Sequence, residues 1–219
     1  DYYTTVLDAL LDIREHQDST LQLRYSCRMG MCGSCGMKIN GKPALACQTM
    51  LRDLGEEVTV EPMDHFPVVR DLVTNTEEFF IKYKSVKPYL IESNKEIQEN
   101  PTFPNKQYPS QVMEYLSFNY CIQCGLCYSA CPIVGSDPHY LGPAALTVAY
   151  RYSTDSRDIG IKARIEIVGG KEGVERCHFA GECTEVCPKG VSPSFALQKL
   201  RKMVISQEIK SLFRRKEGL

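Results

Sequence analysis

Eleven cysteines among 219 residues fall into three groups whose spacing can do chemistry. The first reads C-x4-C-x2-C, Cys27, Cys32 and Cys35, with Cys47 farther on. The second reads C-x2-C-x2-C-x3-C-P: Cys121, Cys124, Cys127 and Cys131, closed by Pro132. The third nearly repeats it with Cys177, Cys183, Cys187 and Pro188, but where the repeat demands a cysteine the chain has Ala180. An odd number of thiols disfavours a pure disulfide framework unless one is spare. A chain of this length can also fold on its core without staples. Thiolates holding a metal or a cluster in a reducing compartment are the better reading.

The first spacing is that of plant-type [2Fe–2S] ligation. Glycines at 30, 33 and 36 suit it, because a loop without side chains there can turn its N–H groups toward a negatively charged sulfur-bridged core. Zinc is the alternative, since four thiolates also suit a tetrahedral ion, although zinc sites usually pair two knuckles. In ferredoxins with two cubane clusters, each C-x2-C-x2-C-x3-C-P run gives three ligands to one cluster and its fourth to the other. By that rule Cys121, Cys124, Cys127 and Cys187 hold a [4Fe–4S] cluster, while Cys131 joins Cys177 and Cys183. Alanine cannot ligate, so a corner iron is expected to be missing and the third centre is expected to be [3Fe–4S]. The alternative is a complete cubane with water or an aspartate at that corner. Glu182 is near, in the wrong register. The assignment uses every cysteine.

The elements that must position these thiols are partly legible. "YTTVLDALLDI" places Val6, Leu10 and Ile13 on one face, with Leu7 and Leu11 alongside, which predicts a helix over 4–16. "LQLRYSC" alternates like a strand, "CGMKINGKPALAC" reads as a hairpin turning at Asn40-Gly41, and "EEVTVEPM" reads as a short strand ended by Pro62. A small sheet with one helix is expected up to residue 73. From Thr74 the texture becomes helical: up to Pro88, with Phe79, Phe80 and Tyr83 as core and partner packing, then 143–153, 161–168 and 194–207, the last started by Pro193. Residues 93–111 read as an extended surface loop and the basic tail "FRRKEGL" as solvated. No apolar stretch approaches bilayer length and no secretory signal opens the chain, so membrane contact is expected only through a partner. A formal net charge of -1 gives no reason to expect nucleic acid as a partner.

Together "YSCRMGMCGSCGMKINGKPALAC", "CIQCGLCYSACP", "GPAALTVAYRYSTDSRD" and "CHFAGECTEVCPKG" resemble the iron–sulfur subunit of succinate dehydrogenase and fumarate reductase. The resemblance spans essentially the whole chain. It implies an α+β protein: a plant-type ferredoxin β-grasp domain at 1–73, then an all-helical bacterial-ferredoxin-like domain at 74–219. Family members begin with a strand pair that this sequence lacks, so those strands are expected upstream.

The implied role is that of an electron-transfer subunit of a membrane-bound quinone-linked enzyme, with no catalytic base of its own. Electrons would run from FAD in a flavoprotein subunit through [2Fe–2S], [4Fe–4S] and [3Fe–4S] to a quinone at a transmembrane anchor, or in reverse. The implied location is peripheral, on the cytoplasmic face of the cell membrane or the matrix face in mitochondria. Pro132, His178 and Arg201 occupy positions that face the quinone site in the family. Gly135 and Ser136 stand where succinate dehydrogenases carry tryptophan at the second position. Arg28 is expected to offset cluster charge or meet the flavoprotein, and Lys189 to lie with Arg201 at the three-iron end. Competing readings are a relay to a thiol or disulfide acceptor, a zinc-stapled interaction protein and a free-standing soluble ferredoxin.

Overall fold

The computed structural model describes residues 3–91 and 106–217, with side chains through 210. Helix α1, Val6–His16, starts where Thr5 and Asp8 close a capping box: the Asp8 N–H donates to the Thr5 hydroxyl at 3.2 Å and the Thr5 N–H donates to the Asp8 carboxylate at 3.0 Å. Its buried face is Val6, Leu7 and Leu10. Its N-terminus is tied to the segment after β2, with Leu7 N–H donating to the Ala46 carbonyl, and it shares a core with a three-stranded antiparallel sheet of order β2-β1-β3, built from β1 (Gly36–Ile39), β2 (Lys42–Leu45) and β3 (Val60–Glu61). Ile39 pairs with Lys42, which leaves Asn40 and Gly41 as a two-residue turn, both at positive φ (46° and 78°), as a type I′ hairpin requires. Strands β4 (Val68–Arg70) and β5 (Val73–Thr74) form a separate small ribbon.

Residues 21–27 are not a strand, which corrects the sequence reading. The alternation is genuine, since Leu23 is buried and Leu21 and Tyr25 pack against the core, with Gln22 and Arg24 outward. Their backbone bonds go elsewhere: the Gln22 N–H donates to the Asp71 carboxylate and the Gln22 carbonyl accepts from Leu72 N–H. Alternation reports burial on one side; a strand also needs a ladder partner.

Helix α2, Glu77–Ser85, ends before Pro88, with Lys87 at φ 56° breaking the helical run. The expected loop at 93–111 lies largely outside the described residues, and its last part starts the short helix α3, Pro109–Met113. Then follow α4 (Leu126–Ser129), α5 (Pro132–Ser136), α6 (Gly142–Ser153), α7 (Ile161–Val168), α8 (Glu182–Glu185) and α9 (Pro193–Glu217). Helix α6 is buried continuously from Gly142 to Tyr150 and is the centre around which α2, α7 and α9 pack. The last helix runs ten residues beyond the expected end at 207. The side chains of the expected solvated tail lie outside the described residues.

The sheet unit and the helical unit share one core. Phe66, from the loop before β4, stacks on Phe79 of α2 and Tyr128 of α4 at 5.8 and 5.1 Å between ring centroids, and Phe79 meets Tyr128 edge-on at 5.4 Å. Tyr83 is buried beside them, whereas Phe80 is half-buried. Arg164 of α7 is wholly buried, held by Asp158 at 2.6 Å and by the carbonyls of Lys87 and Tyr89, so the end of the α2 segment is tied to α7.

Candidate cluster-binding centres

The glycine-rich loop between residue 27 and β1 wraps around the sulfur of Cys27. The N–H groups of Met29, Met31 and Cys32 donate to it at 3.5, 3.2 and 3.3 Å. Convergent N–H groups suit a sulfur carrying negative charge, and a neutral thiol is a weak acceptor that gives little reason for them. Cys35 and Cys47, one on each side of the β1–β2 hairpin, are buried and adjacent. Burial pushes the Cys35 thiol up to about 12. Cys32 goes the other way, to about 6, because the Ser34 hydroxyl and the N–H groups of Cys27 and Ser34 stabilise its thiolate.

Two cavities of the helical unit are lined by cysteines. One, of about 420 Å³ including its open mouth, is bordered by Cys121, Cys124, Cys127 and Cys187. The other, about 350 Å³, is bordered by Cys131, Cys177 and Cys183. Cys187 of the third run thus borders the cavity of Cys121, Cys124 and Cys127, and Cys131 of the second run borders that of Cys177 and Cys183. Burial pushes Cys124 and Cys183 up to about 11 and Cys127 well above its ordinary range. Such thiols become thiolates when a metal cation replaces the proton. Among the described residues no three His, Cys, Asp or Glu side chains converge as they would around a single ion. The thiols of the helical unit border two cavities, which fits an iron–sulfur core.

The backbone repeats where the sequence nearly does. Gln123 and Gly125 are at φ 55° and 77°, and the residues in register with them, Phe179 and Gly181, are at 57° and 94°. Each pair leads into a one-turn helix, α4 or α8, carrying the next cysteine. Ala180 thus stands in the same backbone slot as Cys124 and borders the three-cysteine cavity. It is exposed, so the corner without a thiol faces outward. Glu182 also borders this cavity, from the start of α8, with its residue exposed.

Pro132 and His178 lie at the same rim. Arg201 does not border the cavity; its guanidinium lies 5.6 Å from the ring of Phe179, which does. Lys189 corrects its expected place. It borders the four-cysteine cavity, and its ammonium is 3.2 Å from the sulfur of Met31 in the first loop; Gly190, the next residue, is at φ 64°. Arg28 stacks on Tyr25 at 5.4 Å. Tyr140 had no sequence signal, and Gly33 was legible as a glycine of the first loop but not as a contact to the second. Tyr140 is buried in the wall of the three-cysteine cavity, and burial together with the nearby thiols raises its hydroxyl far above the usual range. Gly33, at φ 75°, lies against Cys124, so the two cysteine loops touch.

Comparison with known proteins agrees with this layout. Residues 1–81 match a family described as a 2Fe-2S iron-sulfur cluster binding domain, and residues 117–191 match a 4Fe-4S dicluster domain. The fumarate reductase iron-sulfur subunit of Haemophilus influenzae is 45% identical over 210 residues, covering 91% of this chain and 81% of that protein. The chain belongs to the iron–sulfur subunits of the succinate dehydrogenase/fumarate reductase family. The succinate dehydrogenase iron-sulfur subunit of Coxiella burnetii is 41% identical, covering 92% of this chain and 84% of that one. A chain of the Mycobacterium smegmatis Sdh1 complex in the apo form superposes with a TM-score of 0.86 at 28% identity, covering 95% of this chain and 87% of that one. The protein is accordingly an electron-transfer, non-catalytic subunit of such a complex, with a sheet-based two-iron domain followed by a helical dicluster domain. Family membership displaces the thiol-acceptor, zinc-stapled and free-ferredoxin readings. Among the described residues no helix is long and apolar enough to cross a membrane.

Proposed function

We propose that Cys27, Cys32, Cys35 and Cys47 hold a [2Fe–2S] cluster, Cys121, Cys124, Cys127 and Cys187 a [4Fe–4S] cluster, and Cys131, Cys177 and Cys183 a [3Fe–4S] cluster. The domain boundary falls near residue 73. The observation that carries the third assignment is Ala180 in the backbone slot that Cys124 fills in the parallel loop. When bound, these centres supply one-electron carriers between a two-electron flavin and a two-electron quinone.

The chain's own residues then have distinct work. The N–H groups of Met29, Met31 and Cys32 stabilise charge on the Cys27 sulfur. Gly33 permits the close approach of the first loop to Cys124. Exposed Met29 and Met31, with Arg28, offer an apolar and cationic face to an FAD-containing flavoprotein subunit. Pro132 and His178, with Arg201 behind Phe179, form the rim at which a quinone and a transmembrane anchor subunit would meet the chain. That arrangement makes the protein peripheral, on the cytoplasmic face of the cell membrane or the matrix face in mitochondria.

Low-temperature electron paramagnetic resonance with iron analysis tests the reading. The expected result is a near-isotropic three-iron signal in the air-oxidised complex, a rhombic two-iron signal on reduction, and about nine irons per chain. An oxidised sample without the three-iron signal and with one further iron overturns the third assignment.

A further inference from the structure

Lys82, on α2, is a buried charge to which the relay assigns no task. Its side chain is 10% exposed. The ammonium donates to the Tyr128 hydroxyl at 2.9 Å and to the Pro138 carbonyl, and it pairs with the Glu78 carboxylate at 3.0 Å. Neither neutral partner lines a cysteine cavity itself, but each lies within two residues of one that does. Tyr128 lies on α4 between Cys127, which borders the four-cysteine cavity, and Cys131, which borders the three-cysteine cavity. Pro138 lies two residues before Tyr140, whose ring is in the wall of the three-cysteine cavity. The ammonium is therefore fastened to the segment that joins the two centres.

Its charge is poorly neutralised. Glu78 is 61% exposed, so solvent and salt screen it while the ammonium lies in the low-dielectric interior. The acid on the neighbouring loop, Asp137, is engaged by Arg176 at 3.3 Å. Burial works against the ammonium, yet the Tyr128 hydroxyl and Glu78 more than offset this and keep it protonated. A fixed cation beside an iron–sulfur centre favours its reduced, more negative state, and net charge and hydrogen bonding are known controls on cluster potential.

We propose that Lys82 is an electrostatic tuning residue whose buried ammonium raises the reduction potential of the clusters held by the seven cysteines of the helical unit. The inference rests on the cluster assignment above. The step it biases is the gain of one electron by a centre, with no bond made or broken.

The test is a redox titration of the assembled complex, monitored by electron paramagnetic resonance, for wild type, Lys82→Gln, Lys82→Met and Lys82→Arg. The two-iron centre of the first unit serves as internal reference. The expected result is a lower midpoint for at least one helical-unit centre in Lys82→Gln and Lys82→Met, relative to that reference, with recovery in Lys82→Arg. Intact signals with unchanged midpoints overturn the proposal and leave the cluster assignment standing. A wild-type complex without the expected signals overturns the assignment instead, and the proposal with it. Should both neutral variants lose the clusters, Glu78→Gln decides: stripping the exposed counter-charge raises the midpoint if the proposal holds, and an unchanged midpoint overturns it.

Discussion

Gly33→Ala probes the contact between the two cysteine loops. Gly33 is at φ 75°, and a methyl group there would meet the β-carbon of Cys124 at 2.8 Å and its α-carbon at 2.9 Å. These neighbours are anchored by a cysteine of the four-cysteine cavity and cannot swing away as the end of a long side chain can. Carbon atoms pack at about 3.5–4.0 Å, so the loops would separate by about 1 Å. A left-handed conformation at a residue other than glycine costs about 1–2 kcal/mol, and overpacking adds about 1–3 kcal/mol. The sum is about 2–5 kcal/mol, or roughly 4–20 °C in melting temperature for a chain of this size. Gly41→Ala is the control, because Gly41 is at φ 78° with nothing within 4 Å of the added methyl. It should lose only about 1–2 kcal/mol, or roughly 2–8 °C. Both variants are followed by thermal loss of visible cluster absorbance at one scan rate, and by the rate of electron transfer through the complex, which falls with loop separation. If Gly33→Ala melts no lower than Gly41→Ala and transfers electrons at the wild-type rate, the close approach of the loops is refuted.

Ala180→Cys places a thiol at the outward corner of the three-cysteine cavity, so the oxidised three-iron signal should disappear and iron analysis should rise by about one per chain. Arg164→Met leaves Asp158, whose side chain is wholly buried, without its cation, and should lower stability by about 3–5 kcal/mol in thermal unfolding. Burial raises the Asp155 carboxyl, but Arg157 and Arg151 together outweigh it and hold it below the usual carboxylate range. Stability from this group is therefore present above the ordinary carboxylate pKa of about 4 and is lost as pH falls through the depressed value; Asp155→Asn should flatten the acid limb of a stability-against-pH curve. In iron-free protein at pH 7, iodoacetamide should alkylate Cys32 first, since its thiol is lowered to about 6, and Cys127 last, since burial holds it protonated; peptide mass spectrometry gives the order.

The grouping of the cysteines around two cavities of the helical unit was legible because their spacing encodes which thiols share a loop, and the missing residue at 180 stood out against the run at 121–131. Helices α1, α6 and α7 were legible from apolar period and from their flanking signals. Other features required long-range information. Leu21, Leu23 and Tyr25 alternate as strand residues do, but whether another strand pairs with them is settled elsewhere in the chain. Lys189 follows Pro188 closely enough to seem part of the three-iron end, yet its ammonium meets the sulfur of Met31, 158 residues earlier in sequence. Arg201 was placed on its helix by pattern, whereas its stacking on Phe179 depends on how α9 lies across the third cysteine loop. Lys82 reads as an ordinary helix-surface lysine, and its burial follows from Tyr128 and Pro138 closing over it.

With the clusters held as proposed, the exchange of Cys131 and Cys187 between the two cavities would also impose an order on biogenesis. The four thiols proposed for the first centre lie between residues 27 and 47, so that set would be complete while most of the chain is still unmade. The four-cysteine cavity lacks a wall until Cys187 has left the ribosome, and the three-cysteine cavity lacks one until Cys183 has. Neither can be filled from its own run alone. The helices α4 to α8 lie between Cys121 and Cys187, so with the proposed ligands iron loading at that cavity would fasten them as a cross-link does. A ribosome stalled between the second and third runs would carry a chain ready for its first centre and for neither of the others.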